Sequence, residues 1–509
     1  MPEIKDPSDW IDEAARHHPR RLFLVAPGGR RFTYASLSEE SSRIAWVLTQ
    51  RGVVPGDRVA VQVEKSAEAV LLYAACLRIG AVFVPINSAN TPNEVDYFLR
   101  DAQPRLAVIR PADRTLLEPL ADRAGISEVA TLGENGEGSL LENLPNSAEN
   151  FESFHGTANS LAAIVYTSGT TGRSKGAMLT RANLASNAAG LVEVWRFTGQ
   201  DVLLHTLPLF HIHGLFAAIN TVLAAGAGLL LLPKFDAAAV LRHLSQVTVF
   251  MGVPTYYTRL LQHAGLSHEA TKHMRLFVSG SAPLLTETHQ EFLERTGHRI
   301  VERYGMTETL INTSNPYDGA RVPGSVGKTL PGIAIRVATD SGRLKPEGDL
   351  TGALEVAGPN VFAGYWRDPD KTSVEFTADG WFKTGDLGRI DRDGYVHIVG
   401  RAKDLVISGG YNVYPKEVES ELDAVPGVLE SAVFGAPHPD FGEGVTAAVV
   451  LKAGAVLSET QIVNAIQGRL ARYKVPKRII IVEELPRNAM GKVQKNVLRA
   501  AYAALYRTP

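Results

Sequence analysis

Short apolar runs alternate with helical patterns along the first part of the chain. Arg58–Val63 is followed by the apolar helical stretch Ala67–Ile79, and further runs stand at Ala81–Pro85, Leu106–Ile109, Leu161–Tyr166, Val247–Met251 and Leu276–Val278. Runs of this length predict strands buried on both faces, and helices between them predict parallel α/β layers. Beyond about Pro323 the texture changes. Ile333–Thr339, Gly352–Val356 and Gly394–Val399 are separated by turn-forming stretches that start at Asp340, Thr377 and Asp391, which predicts antiparallel hairpins. A smaller α+β body begins near Arg401, with helices over Pro415–Asp423 and Glu459–Ala471 and strands over Leu429–Phe434 and Thr446–Leu451. The expected fold is α/β: a large N-terminal domain over 1–400, of parallel α/β layers plus a β-rich subdomain, and a small α+β C-terminal domain over 401–509.

One stretch is apolar enough to question this reading. Gly214–Leu232 carries only Asn220 and Thr221 as polar residues. Its Ala-rich half reads as a buried helix ending near Gly226, and Leu229–Leu232 before Pro233 reads as a buried strand, so a core helix–turn–strand is expected rather than a membrane span.

Composition then narrows the function classes. Lys+Arg 52 against Asp+Glu 54 leaves a net charge of −2, which gives no electrostatic footprint for nucleic acid. The single cysteine, Cys76, precludes an intrachain disulfide and a cysteine-based metal site. The polar N-terminus lacks the basic and apolar regions of a secretory signal, and a cytoplasmic location is expected.

The strongest local chemistry lies in Tyr166–Gly176, after the apolar strand. Glycines let backbone N–H groups approach an anion, the hydroxyls of Thr167, Ser168, Thr170 and Thr171 add donors, and Lys175 adds charge, so the loop reads as a phosphate cradle. Counting from Gly169 puts Ser174 where a Walker loop needs its second glycine, which disfavours a P-loop NTPase. Gly172–Gly176 also satisfies the G-x-S-x-G pattern of a hydrolase nucleophile elbow around Ser174, a competing reading that needs a helix straight after the serine. His268 and His273 are five apart rather than four and read as a solvated helix face, not a zinc site.

The cradle loop, Tyr304–Glu308, Thr384–Asp386, Gly400–Asp404 with Gly409–Pro415, and Pro486–Lys492 together resemble the motifs of adenylate-forming acyl-CoA synthetases, in their order and over essentially the whole chain. The resemblance implies a carboxylate attacking the α-phosphorus of ATP, release of pyrophosphate, and displacement of AMP by the thiol of CoA. It implies ATP contacts from Thr167, Ser168, Gly169, Thr170, Thr171, Gly172, Lys175, Gly280, Ser281, Ala282, Pro283, Tyr304, Gly305, Met306, Asp386 and Arg401. Tyr304 would stack on adenine and Asp386 would hold the ribose, Thr307 would hold the α-phosphate, and Glu308 would bind Mg²⁺. Lys492 would be the catalytic lysine of adenylation. The C-terminal domain would be mobile about Lys403, and Ser408, Gly409, Gly410 and Tyr411 would line the path of CoA. Lys492 is also a candidate for regulatory acetylation, which would remove its charge.

The runs Lys272–Leu284, Glu302–Thr309 and Asn312–Gly319 further resemble malonyl-CoA synthetases. Arg275, His211, His213 and Ser279 are then the candidates for holding the substrate carboxylate, Arg275 through its planar fork. For Arg275, pairing with an acidic side chain at the domain surface is an equally open alternative. Malonate is the expected acid; the apolar Ile212, Leu310 and Ile311 would suit a methyl branch, which puts methylmalonate second and other short acids behind it.

Overall fold

A computed structural model describes residues 5–148, 151–167, 174–338, 344–345, 348–409, 411–488 and 491–506. The chain forms two compact units, Met1–Ala334 with Val356–Phe382, and Ile335–Glu355 with Lys383–Pro509. The second unit thus begins ahead of Arg401 and takes in a segment from the β-rich region.

The first unit is built on two mainly parallel sheets. One runs in the order Glu128–Thr131, Leu106–Ile109, Arg58–Gln62, Val82–Pro85, Leu161–Thr167 and Lys175–Thr180, and only the last pair is antiparallel. The other places Val301–Met306, Leu276–Ser279, Val249–Gly252, Val202–His205, Gly228–Leu231 and Leu22–Val25 side by side and parallel. Leu310–Ser314 and Lys328–Thr329 extend it antiparallel at one edge, Arg31–Thr33 at the other. In this sheet the chain passes from Val202–His205 to one neighbour, then returns to the other side at Val249–Gly252. Such a reversal opens a crevice beyond the carboxyl ends of the strands, where open α/β sheets bind ligands.

The buried helices between the strands follow from local sequence. Ala67–Ile79 starts where the Ser66 hydroxyl accepts from the Ala69 N–H and stops at Gly80, whose φ of 71° closes the last turn. Cys76 lies buried within it and is free. The questioned apolar stretch is a π-helix, His213–Ile219, running into the α-helix Asn220–Ala225, ended by Gly226 at φ 62° and followed by the strand Gly228–Leu231. Among the described residues no helix is long and apolar enough to cross a membrane.

The second unit holds the antiparallel hairpins. Ala334–Ala338, Gly348–Ala357, Phe382–Ile390 and Val396–Arg401 are neighbours in one sheet, and the Asp340 turn lies outside the described residues. The C-terminal sheet pairs Val428–His438 with Gly442–Leu451, covered by the helix Pro415–Asp423. The helix expected over Glu459–Ala471 ends at Ile466, because Gln467 is extended at ψ 127° and Gly468 takes φ 88°.

Candidate active site

At the carboxyl end of Leu276–Ser279 the chain turns through Gly280 and Ser281, and Ser281 adopts φ 71°, a conformation that non-glycine residues rarely hold. The glycine leaves room for a side chain from the next strand. A Cβ on Gly280 would lie 2.4 Å from Cζ of Arg303, which comes from the neighbouring strand Val301–Met306. Arg303 is 4% exposed, and among the described residues its Nε and Nη2 have no hydrogen-bond partner. Burial pulls this guanidinium down to about 9. His213 stands at the start of the π-helix, fully buried, with Nδ1 3.3 Å from Ser281 Oγ. Burial, and after it the Arg303 cation, hold it well below the usual histidine range, so it is neutral. Its Nε2, the Ser279 hydroxyl and the Thr206 hydroxyl are likewise buried without a partner among the described residues. Leaving a guanidinium dry and unpaired costs several kcal/mol, so such a site is built for an anion.

The His213 N–H donates to His211 Nδ1 at 3.3 Å, which ties the two predicted histidines together. Arg275 is elsewhere. It lies just before the amino end of Leu276–Ser279, at the far end of the strand from Ser279. Its fork pairs with Asp201, Nε to Oδ1 at 2.6 Å and Nη2 to Oδ2 at 2.7 Å, while Nη1 donates to the Trp195 carbonyl at 2.9 Å. The expectation that Arg275 holds the substrate carboxylate is therefore corrected to the alternative of a pair with an acidic side chain: its fork is already used by Asp201.

Glu308 sits in the turn between Val301–Met306 and Leu310–Ser314, buried, and its Oε1 accepts from the Tyr365 hydroxyl at 3.0 Å. Gly305, just before, would drive any Cβ to 1.9 Å from the Leu310 carbonyl oxygen. Lys175 Nζ stands 5.4 Å from the centre of the same tyrosine ring, so Tyr365 joins the end of the cradle loop to the Glu308 turn. Burial lowers the Lys175 ammonium first, Lys371 adds to this, and the Glu308 carboxylate works the other way. Thr167 pairs with Lys175 across the hairpin. Ser168, Gly169, Thr170, Thr171 and Gly172 lie outside the described residues. Ser174 is followed by the strand Lys175–Thr180 instead of a helix, so the nucleophile-elbow geometry is absent and the hydrolase expectation falls.

The second unit gathers its own predicted residues. Asp386 and Arg401 face each other across the hairpin, with Arg401 Nε 2.8 Å from Asp386 Oδ1. Lys403 follows in the 3₁₀ turn Ala402–Asp404, and Asp404 is held by Arg499 at 2.9 Å. Lys492 lies among the same charges: the residue is exposed, and its ammonium drops to about 8, by desolvation first and the Arg401 cation next. Ser408 is buried at the end of Val406–Ser408, and Gly409 takes φ 60° as its N–H donates to Phe441 O at 2.9 Å. Tyr411 is exposed and stacks on Tyr473, ring centres 4.8 Å apart; Gly410 lies outside the described residues.

The sequence pattern of AMP-binding enzymes matches residues 11–366, and that of the AMP-binding enzyme C-terminal domain matches residues 417–492. The chain belongs to the AMP-binding enzyme family. Among relatives of this AMP-binding enzyme is the malonate–CoA ligase ACSF3, mitochondrial, of Mus musculus, 36% identical over 94% of this chain and 88% of that one. The malonate–CoA ligase of Arabidopsis thaliana is 34% identical over 93% and 85%. The crystal structure of ATP-bound MatB from Rhodopseudomonas palustris matches with a TM-score of 0.95 and 53% identity, covering 99% of this chain and 100% of that one.

Three site residues escaped sequence reasoning: Arg303, Thr206 and Tyr365. Arg303 had a usable signal, a lone arginine in a run bound for the crevice, next to the adenine motif.

Proposed function

We propose that this AMP-forming acid–CoA ligase joins malonate to CoA through a malonyl adenylate. The observation that carries the reading is the buried Arg303 guanidinium, whose Nε and Nη2 have no partner among the described residues, beside neutral His213. A diacid has one carboxylate to react and one to spare, and the spare one satisfies Arg303 by charge and by paired hydrogen bonds. His213 Nε2 and the Ser279 hydroxyl, also buried without partners among the described residues, would donate to the same group. A monocarboxylate would leave the cation unpaired and pay its desolvation. The names of the malonate–CoA ligases among the relatives support the same acid.

The rest of the cycle follows from the charges. In the first unit Thr167, Lys175 and the loop before it would cradle the ATP phosphates, with Thr307 on the α-phosphate and the Gly280–Pro283 turn and Tyr304–Met306 along the nucleotide. In the second unit Asp386 and Arg401 would hold the ribose, and Lys492 would stabilise charge as the carboxylate attacks and pyrophosphate leaves. Glu308 fits Mg²⁺: a buried carboxylate whose Oε1 accepts from a neutral hydroxyl is a hard oxygen donor of the kind this ion takes one or two of, alongside phosphate oxygens. When bound, the ion would neutralise the departing pyrophosphate. The CoA thiolate then attacks the acyl carbon and AMP departs, with Ser408–Tyr411 along the CoA path and Lys403 as the hinge of a mobile body over 401–509.

Pyrophosphate release with ATP, Mg²⁺ and a panel of malonate, methylmalonate, succinate, butyrate and acetate, with and without CoA, tests the proposal. Malonate in first place supports it, methylmalonate in first place shifts the assignment to the branched acid, and butyrate in first place overturns it. We also propose that the exposed Lys492 is open to acetylation, which mass spectrometry of protein from its own cell would detect, and that the protein works in the cytoplasm, which fractionation would check.

A further inference from the structure

Lys492 lies between two short chain segments that meet in an antiparallel Arg487–Val493 bridge and are tied down by charge. The Asn488 side chain accepts from the Lys492 N–H at 3.0 Å, the Asn488 N–H donates to Lys492 O at 3.0 Å, and the Gln494 N–H donates to Pro486 O at 2.8 Å. Apolar anchoring lies outside this hairpin: Leu485 before it and Leu498 after it pack into the cluster of Phe434 and Ala448. Among its described residues, Val493 is the one that packs, partly buried, against that cluster. The hairpin is held by ion pairs. On the leading leg Arg487 pairs through Nη2 with Glu430 of the strand Val428–His438, while its Nη1 donates to the carbonyl of Gly491 at 2.5 Å. That carbonyl belongs to the residue directly before Lys492. On the trailing leg Lys495 pairs with Glu419 of the helix Pro415–Asp423 at 2.5 Å, and Glu419 is fixed in turn by the Val433 N–H at 2.9 Å. Burial works to raise the Glu419 carboxyl, but Lys495 and Lys416 outweigh it and keep it ionised. These pairs are largely covered, with side-chain exposures of 26% and 27% on the leading leg and 17% and 10% on the trailing leg.

We propose that Glu430 and Glu419 are positioning residues for adenylation, which act through Arg487 and Lys495 to aim the Lys492 ammonium. The inference rests on the reading of Lys492 as the cation of the first half-reaction. A lysine on four rotatable bonds contributes to a transition state only where its backbone is held, and about 1 Å of misplacement costs on the order of a hundredfold. The bridge Glu430–Arg487–Gly491 O supplies that hold one residue away from the catalytic side chain.

The test separates the two half-reactions. ATP–pyrophosphate exchange driven by malonate reads adenylation, and AMP release from supplied malonyl adenylate on adding CoA reads thioester formation. Glu430→Gln is expected to lower the exchange kcat by about tenfold or more with KM for ATP and malonate within about twofold, and to leave thioester formation unchanged. The swap Glu430→Arg with Arg487→Glu should recover most of the loss. In a Lys492→Ala background Glu430→Gln should add nothing, since the group it aims is gone. Lys495→Met probes the trailing leg from its outer side and carries the test if the Glu430 variant does not fold. An unchanged exchange kcat in both variants, or equal losses in both half-reactions, overturns the proposal while the role of Lys492 stands. Full exchange activity in Lys492→Ala would instead remove the reading beneath it, and the proposal with it.

Discussion

The guanidinium of Arg303 lies against the backbone of Gly280, so close that a Cβ there would meet Cζ at 2.4 Å. The glycine thus leaves the room the cation occupies, and on the proposed reading that cation is what selects a diacid. Gly280→Ala should push Arg303 aside in a packed interior at a cost of about 1–3 kcal/mol, which appears as a rise of roughly tenfold or more in KM for malonate. The ratio of kcat/KM for malonate over butyrate should fall with it. Steady-state kinetics with both acids at saturating ATP check this, and an unchanged ratio would detach Arg303 from substrate selection.

Arg275 offers the opposite expectation. Its fork and Asp201 satisfy one another, with Thr248 and the Thr198 N–H also donating to Asp201. Burial raises the Asp201 carboxyl, but the hydrogen bonds from Arg275, Thr198 and Thr248 outweigh it and hold the pKa below the ordinary value. A carboxyl depressed in the fold adds stability above its unfolded pKa and loses it as pH falls through the folded one. Arg275→Ala should therefore cost about 2–4 kcal/mol at neutral pH, seen as a lower Tm, and the gap to wild type should shrink in acid as Asp201 protonates in both. Selectivity for malonate over butyrate should not move.

These two arginines show where the sequence was legible and where it was not. Lys175, Glu308, Asp386 and Lys492 could be singled out as candidates because each belongs to a run that resembles a motif of the family. Arg303 could not, because its neighbours are distant in the chain: Gly280 lies before the helix Thr286–Thr296, and His213 at the head of a π-helix. Arg275 misleads for a simpler reason. The apolar run marks a strand without saying which end faces the crevice, although a parallel strand presents its carboxyl end there, which selects Ser279 and rejects Arg275. The same locality limits the helix from Glu459, where Gln467 and Gly468 end an apolar periodicity that otherwise runs on.

Lys403 tests the proposed hinge. It lies in a single 3₁₀ turn between the Asp386–Arg401 hairpin and the strand Val406–Ser408, where a change in backbone torsion redirects everything after it. Lys403→Pro fixes φ near −65° and removes an N–H, so it should slow thioester formation by about tenfold or more while malonate-driven pyrophosphate exchange stays within about threefold. Stopped-flow measurement of AMP release on adding CoA separates the two, and unchanged release would place the hinge elsewhere.

The pH dependence of adenylation reports on Lys492. Its ammonium is lowered to about 8 by desolvation, then by Arg401, and Lys403 also lowers it while Asp386 and Asp404 raise it. With Lys492 as the proposed cation of adenylation, the proton-bearing form is the active one, since only a cation opposes the charge that builds on the phosphate oxygens. Exchange activity, as kcat/KM, should therefore be flat below the folded pKa and fall as pH rises through about 8, losing about tenfold per pH unit beyond it. Asp404→Asn removes a charge that favours the protonated amine, so the alkaline fall should move to lower pH. Lys492→Arg keeps its charge throughout this range, so whatever activity it retains should lose the fall altogether. A profile for Lys492→Arg that still drops near pH 8 would assign the titration to another group of the cluster, Lys403 being the next to examine by the same measurement.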